Sequence, residues 1–236
     1  MRLFLSIFTL LTMTQTMKAN DGVILLHGLC RSTRSMKAMQ DAITTAGLVV
    51  ENIGYPSRTA NIEALGELAV GKVIDGPNLK SCNNIHFVTH SLGGILVRSY
   101  FKQHKCDRLG RIVMLGPPNQ GSEVVDRLGS WWLFRKINGP AGLELGTSLQ
   151  STPNKLGPVD FELGVIAGDR SINWINSLMI NGKNDGKVSV ERTKIAGMKD
   201  HLTIHTAHPF LMTNRIAIAQ TLRFLREGSF CQNHGI

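Results

Sequence analysis

Short apolar segments alternate along the chain with longer segments that have the spacing of amphipathic helices. The first apolar segment, 22–27, lacks the alternating polar positions of a half-exposed strand, which is typical of a strand buried inside a parallel sheet. Strands are also predicted at 48–53, 85–89, 111–115, 161–167 and 202–206, and helices at 32–46, 61–74, 92–104 and 213–226. Such alternation builds parallel sheets through right-handed crossovers. We therefore predict an α/β fold with a mostly parallel central sheet and helices on both faces.

The composition supports a folded domain and restricts its partners. Of 236 residues, 42% are hydrophobic and 18% charged, which excludes a disordered or collagenous chain. The net charge of +9 favours a negatively charged partner, namely nucleic acid, an anionic membrane surface or an anionic substrate. The basic residues form no dense run and no nucleic-acid-binding motif is present, so we predict no nucleic-acid partner. Peripheral contact with an anionic membrane surface stays open.

The N-terminus predicts export. Arg2 precedes an apolar run over 3–11 that is too short to span a bilayer, and polar residues follow. This pattern indicates a signal peptide over 1–19 that is cleaved after Ala19, and a secreted or periplasmic domain over 20–236. The alternatives are an uncleaved membrane anchor and a buried first helix.

The alternation of strands and helices stops over 117–160. A long excursion from a regular sheet is typical of a cap or lid over a site. Within it, residues 131–134 are Trp-Trp-Leu-Phe, and four adjacent large apolar residues cannot share one face of a helix. We predict that Trp131, Trp132 and Phe134 bind substrate, and the alternative is a local core of the cap.

A candidate nucleophile lies where the predicted strand 85–89 meets the predicted helix 92–104. The sequence there, residues 89–94, is Thr-His-Ser-Leu-Gly-Gly. A serine at such a junction can be held on a sharp turn with a helix N-terminus behind it. The segment resembles the G-x-S-x-G nucleophile elbow of the α/β-hydrolase superfamily, which implies that Ser91 is the nucleophile. Thr89 replaces the first glycine, so the close packing there must accommodate a branched side chain.

A second resemblance lies at the end of the first predicted strand. His27-Gly28-Leu29 is similar to the H-G-x segment of lipases and esterases in the same superfamily. It implies that the backbone N–H groups of Leu29 and Leu92 bind the oxyanion that forms during acyl transfer. The alternative is an ordinary turn at the end of a strand.

The superfamily order of serine, acid and histidine guides the search for the acid. Asp185 lies in the turn sequence Asn-Asp-Gly-Lys-Val over 184–188, which resembles the acid loop of bacterial lipases. Asp169 is the alternative, because it directly follows the predicted strand 161–167. We predict Asp185.

Three histidines compete for the role of the base. The superfamily places its base after the last strand, which matches His208, since that residue follows the predicted strand 202–206. His201 precedes that strand, although Asp-His-Leu at 200–202 is similar to the histidine loop of some bacterial lipases, and His205 lies within it. We predict His208, and we predict no metal site.

The resemblance covers most of the chain from residue 22 to about 230 and is strongest to a secreted bacterial lipase and esterase branch that includes GPI-inositol-deacylase-like esterases. It implies a serine hydrolase that cleaves carboxylic esters, with lipid acyl esters as substrates and no cofactor. Alternatives are an acyltransferase or amidase with the same triad, and a non-catalytic lipid- or partner-binding protein of this fold.

The predicted topology also suggests one cysteine pairing. Cys82 precedes a strand and Cys106 ends the helix that follows it, so both are expected at the end of the sheet away from the site. We predict a Cys82–Cys106 disulfide, as suits an oxidising compartment. Cys30 and Cys231 are expected at opposite ends of the sheet, and reduced thiols are the alternative.

Overall fold

The computed structural model describes residues 20–232, and within them the central feature is a sheet of six parallel strands. The strands are β1 (Gly22–Leu26), β2 (Val49–Ile53), β3 (Ile85–His90), β4 (Leu109–Leu115), β5 (Leu163–Gly168) and β6 (Asp200–Ile204). Their order in the sheet is β2-β1-β3-β4-β5-β6. The predicted α/β architecture is confirmed. The predicted signal segment, 1–19, lies outside the described residues.

Helices connect the strands and cover both faces of the sheet. They are α1 (Lys37–Thr45), α2 (Ile62–Gly66), α3 (Lys72–Ile74), α4 (Leu92–Gln103), α5 (Glu123–Leu128), α6 (Trp132–Leu143), α7 (Thr152–Lys155), α8 (Trp174–Met179), α9 (Val190–Thr193) and α10 (Arg215–Glu227). The helix predicted over 61–74 is interrupted by a π-helical turn, Glu67–Gly71, between α2 and α3.

Two apolar cores lie on opposite faces of the sheet. Alternate residues of β1 face opposite sides, so Ile24 packs into the core under α2 and α4, whereas Val23 packs into the core under α1 and α10. Both residues are completely buried. Burial on both faces explains why this strand is a continuous apolar run in the sequence.

The strand register brings the carboxyl ends of the strands to one edge. Leu26 of β1 pairs with Thr89 of β3, and Leu115 of β4 pairs with Ile166 of β5. Segments that follow these strands therefore emerge side by side, as is usual for sites of parallel sheets. The last strand begins two residues earlier than predicted, because its ladder with β5 already includes Asp200.

Residues 117–160, called the cap below, form a helical segment that includes α5, α6 and α7. Helix α6 is broken at Gly139, where the backbone has a φ of 64°. The broken end reaches the loop after β2, because the amide of Ala141 donates to the carbonyl of Ala60 at 3.2 Å. A buried arginine fixes the other part of the cap, since Arg98 of α4 donates to the carbonyls of Asn119, Pro153 and Gly157 at 2.8–2.9 Å.

The predicted Cys82–Cys106 disulfide is not formed. Both residues contribute to the same apolar core, but both are free thiols. The side chain of Arg108 occupies the turn around Cys82, where it donates to the carbonyls of Leu79 and Cys82. The expected position of both cysteines near the amino ends of the strands is correct.

No helix within residues 20–232 combines the length and the apolar composition needed to cross a membrane.

Candidate active site

Ser91 occupies a strained turn between β3 and α4. Its φ of 52° and ψ of −119° place it in a region that L-residues rarely adopt. The turn is held by two backbone hydrogen bonds, from the Ser91 amide to the carbonyl of Leu115 and from the Gly94 amide to the carbonyl of Ser91. Because the helix begins at the next residue, Ser91 lies at the N-terminus of a 12-residue helix, where four N–H groups lack intrahelical acceptors.

Small residues make this turn sterically possible. A Cβ on Gly93 would lie 2.8 Å from the carbonyl oxygen of Leu26, so this position requires glycine. A Cβ on Gly94 would lie 3.2 Å from Oγ1 of Thr89, the residue that departs from the superfamily pattern. Thr89 is completely buried. The second glycine therefore leaves the room that the branched side chain needs.

His208 and Asp185 form a buried pair. His208 Nδ1 lies 2.6 Å from Asp185 Oδ2, and the backbone amide of His208 donates to the carbonyl of Asp185 at 3.0 Å. The other carboxylate oxygen, Oδ1, accepts from the amides of Lys187 and Val188 at 2.9 Å each. Since a carboxylate only accepts hydrogen bonds, Nδ1 carries the proton and Nε2 is left with a lone pair.

The alternative acid and bases lie elsewhere. Asp169 pairs with the exposed His205, whose Nδ1 lies 2.9 Å from Asp169 Oδ1. His201 lies within β6 rather than before it, and its Nε2 lies 2.9 Å from the hydroxyl of Thr193. His205 follows β6 rather than lying in it. Of the three candidate histidines, the structure brings His208 to the cavity that contains Ser91.

His90, which sequence reasoning missed, joins the two halves of the site. Its ring is buried, and its Nε2 lies 3.1 Å from the backbone carbonyl of His208. Burial holds the pKa of His90 well below 6.5, so the ring is neutral and donates this hydrogen bond. His90 thus connects the elbow to the loop that carries His208. The available signal was the presence of a histidine directly before Ser91 in the sequence.

The predicted oxyanion residues flank Ser91. Leu92 is the first residue of α4, so its N–H is among the groups without an intrahelical acceptor. Leu29 lines the cavity next to Ser91. The preceding turn is rigid, because the ring of His27 stacks on Tyr55 with a centroid separation of 4.2 Å, and the Tyr55 hydroxyl donates to the His27 carbonyl.

A cavity of about 310 Å³ lies between the elbow and the cap, a size suited to a small ligand. Ser91, His208 and Phe134 are among its lining residues. The remaining lining residues are mostly apolar: Pro118, Val124, Val125, Ile137, Leu145 and Val188. Trp131 and Trp132 do not line it and are 64% and 72% exposed. Phe134 thus lies at the cavity, whereas Trp131 and Trp132 lie outside it, and their contact with substrate stays a prediction.

No group of three or more His, Cys, Asp or Glu side chains within residues 20–232 is arranged to hold a metal ion.

Comparison with solved structures identifies the architecture. The mature lipase BlEst2 of Bacillus licheniformis superposes with a TM-score of 0.73 at 18% identity, covering 89% of this chain and 93% of the lipase. The metagenomic carboxyl esterase MGS0156 superposes with a TM-score of 0.63 at 16% identity, covering 82% of this chain and 66% of the esterase. Phospholipase PlaB of Legionella pneumophila superposes with a TM-score of 0.60 at 21% identity, covering 74% of this chain and 44% of the phospholipase. No protein-family model and no curated protein matches the chain.

The chain has the α/β-hydrolase fold. At these identities the likeness shows the fold, and the chemistry has to be argued from the site. Within this α/β-hydrolase fold, the elbow, the buried pair and the cap lie around one cavity.

Proposed function

We propose that this protein is a serine hydrolase of carboxylic esters, with lipid acyl esters as its substrates. The observation that carries the proposal is the 2.6 Å contact between His208 Nδ1 and Asp185 Oδ2 at the cavity that Ser91 also lines. Ser91 is the nucleophile, His208 the general base and Asp185 the residue that orients the base. The fold supports this assignment, because the neighbours described above are named as a lipase, a carboxyl esterase and a phospholipase.

The first half of the reaction forms an acyl-enzyme. Ser91 Oγ attacks the carbonyl carbon of the ester while its proton passes to Nε2 of His208. The carbonyl oxygen becomes an oxyanion, which accepts hydrogen bonds from the N–H groups of Leu29 and Leu92. The C–O bond then breaks, and Nε2 returns the proton to the departing alcohol oxygen.

Water completes the cycle. It attacks the acyl carbon while losing a proton to Nε2 of His208, and the bond to Ser91 Oγ breaks as that oxygen regains the proton. Asp185 stabilises the imidazolium in both halves, because its carboxylate is held by the two amides of residues 187 and 188. The carboxylate therefore stays directed at Nδ1.

The surface around the cap supports lipid substrates. Large apolar side chains are exposed at the start of α6 and along it, on α8 and beside His208: Trp131, Trp132, Leu133, Ile137, Trp174, Ile175, Leu178 and Phe210. The three adjacent residues 131–133 form an exposed apolar patch, and such patches mark interaction sites. Tryptophans are suited to the boundary between water and lipid, so we propose that this surface contacts the aggregated substrate.

Hydrolysis of p-nitrophenyl esters from acetate to palmitate by the 20–236 protein tests the proposal. We expect turnover that Ser91→Ala lowers by several orders of magnitude while circular dichroism stays unchanged. Labelling of Ser91 by a fluorophosphonate is expected in parallel. Lipid binding without labelling or turnover would instead indicate a non-catalytic protein.

Product analysis with added alcohol or amine separates hydrolysis from transfer. Free acid as the main product supports the hydrolase, whereas a new ester or amide as the main product would indicate an acyltransferase. The predicted signal peptide adds the proposal that the enzyme acts outside the cytoplasm.

A further inference from the structure

We infer that three cations at the mouth of the cavity, Arg31, Arg58 and Lys187, form a subsite for a phosphate group carried by the ester substrate. The inference rests on the proposed function and names a substrate class for the same site. It concerns monomeric substrate inside the cavity and not adsorption of the enzyme to a surface.

The three cations converge on Cys30 from separate loops. Arg31 and Lys187 line the cavity that contains Ser91. Arg58 lines an adjoining cavity of about 420 Å³, and Cys30 and Arg31 line both cavities. The two spaces therefore adjoin at residues 30 and 31, within reach of the proposed nucleophile.

The charges that act on the Cys30 thiol are all positive. Burial raises the pKa of the Cys30 thiol, and the cations that oppose this rise are Arg58, Lys187 and Arg31. Arg31 also contributes to the lowered pKa of His90, of which burial is the largest cause. A positive potential thus extends from the junction to the elbow.

None of these cations has a carboxylate partner among residues 20–232, whereas Arg108, Arg111 and Arg192 each form an ion pair. Burial lowers the pKa of Lys187, and Asp185, which opposes this, is already bonded to His208 and to two amides. The side chains of Arg31, Arg58 and Lys187 are exposed. Their charge is therefore free to neutralise a ligand.

Phosphate suits this arrangement. A guanidinium offers paired N–H donors that match two phosphate oxygens, and an ammonium adds a point charge. The apolar lining of the cavity that contains Ser91, which includes Phe134 and Leu145, suits an acyl chain. An acyl ester of a phosphorylated alcohol could place its phosphate group among the cations and its acyl chain against the apolar lining. Its ester group would then lie near Ser91.

The test compares two monomeric substrates below their critical micelle concentrations, dihexanoylphosphatidate and dihexanoylglycerol. We expect kcat/KM to be at least about tenfold higher for the phosphatidate. The Arg31→Gln/Arg58→Gln variant should lower the ratio of the two kcat/KM values about tenfold. Raising the salt concentration should lower the same ratio in the wild-type protein.

A matched control removes the same charge elsewhere. Lys80 and Lys105 are exposed at the opposite end of the sheet, so Lys80→Gln/Lys105→Gln should keep the wild-type ratio. A ratio that both double variants lower equally, or that neither changes, overturns the subsite. Ser91-dependent hydrolysis of dihexanoylglycerol would in that case still support the proposed esterase.

Binding measurements separate the subsite from the chemistry. If neither ester is hydrolysed, the proposed function fails, and calorimetry with dihexanoylphosphatidate and Ser91→Ala decides the subsite alone. Saturable binding that Arg31→Gln/Arg58→Gln weakens about tenfold supports it. Absence of binding, or binding that the two substitutions leave unchanged, overturns it.

Discussion

The sheet and the cap meet over one cavity, but they are built in different ways. The central strands are buried on both faces. The proposed nucleophile directly follows β3, the acid lies in the loop after α8, and the base lies just after β6. The cap has short helices and a break at Gly139, and it exposes the tryptophans at 131 and 132. The sheet thus provides the rigid positions that acyl transfer requires, whereas the cap provides the apolar surfaces that select a substrate.

The largest effect should come from the sheet side, at the buried pair. Asp185→Asn should lower kcat by about 10³ to 10⁴, because an amide no longer stabilises the imidazolium and can hold the ring in the wrong tautomer. Steady-state kinetics on a p-nitrophenyl ester would measure this loss. Asp169→Asn is the matched control, since Asp169 pairs with the exposed His205. If Asp169→Asn lowers kcat more than Asp185→Asn does, Asp169 and not Asp185 is the acid that orients the base.

The next largest effect should come from Arg98, which connects α4 to the cap, and it should be an effect on the free energy of unfolding. Arg98→Met should lower the free energy of unfolding by about 2–4 kcal/mol, because it leaves buried carbonyls at 119, 153 and 157 without their donor. Urea unfolding measures the change. Lys102→Met, one turn later on α4 and exposed, should cost less than about 0.5 kcal/mol. Equal costs for the two variants would show that Arg98 does not anchor the cap.

The sheet was more predictable than the cap, because its signals are local. Buried strands appear as apolar runs, and the position of Ser91 between a strand and a helix is visible in the sequence. The start of β6 was missed because strand length there depends on pairing with β5, which is a tertiary contact. Its true start at residue 200 places His201 inside the strand.

The cap and its contacts depend on distant parts of the chain. Four adjacent apolar residues indicate an unusual surface, but which of them lines the cavity depends on how α6 packs, and its contact with Ala60 comes from a distant part of the chain. The contacts of His90 and Arg98 span 118 and up to 59 positions. No local pattern encodes such pairs, so sequence reasoning could not supply them.

Acid should weaken the sheet more than the cap, which contains no histidine over 117–160. Burial lowers the pKa of His27, His86, His90 and His201 below 6.5. Below pH 6.5 the histidines of the unfolded chain bind protons that those of the folded protein do not. The free energy of unfolding therefore decreases as the pH is lowered from 6.5, until the pH reaches the lowered pKa values of the folded protein. Each histidine contributes up to about 1.4 kcal/mol per pH unit.

Chemical denaturation between about pH 7.5 and 5 would measure this slope. His86→Gln should make the slope shallower, whatever it does to the stability at neutral pH. His205→Gln, at an exposed position, should keep the wild-type slope. If His86→Gln also keeps the wild-type slope, the pH dependence of the free energy of unfolding arises from groups other than His86.

The smallest effect on the fold, and the sharpest contrast within the cap, should come from its aromatic residues. Trp131→Ser/Trp132→Ser should change the free energy of unfolding by less than about 0.5 kcal/mol, because both side chains are exposed. It should lower the ratio of activity on anionic lipid vesicles to activity on a monomeric ester at least about tenfold, since apolar contact with the bilayer is lost. Phe134→Ser should instead lower both activities, because Phe134 lines the cavity. If the double variant keeps the wild-type ratio, the tryptophans do not contact lipid, and substrate selection depends on the cavity alone.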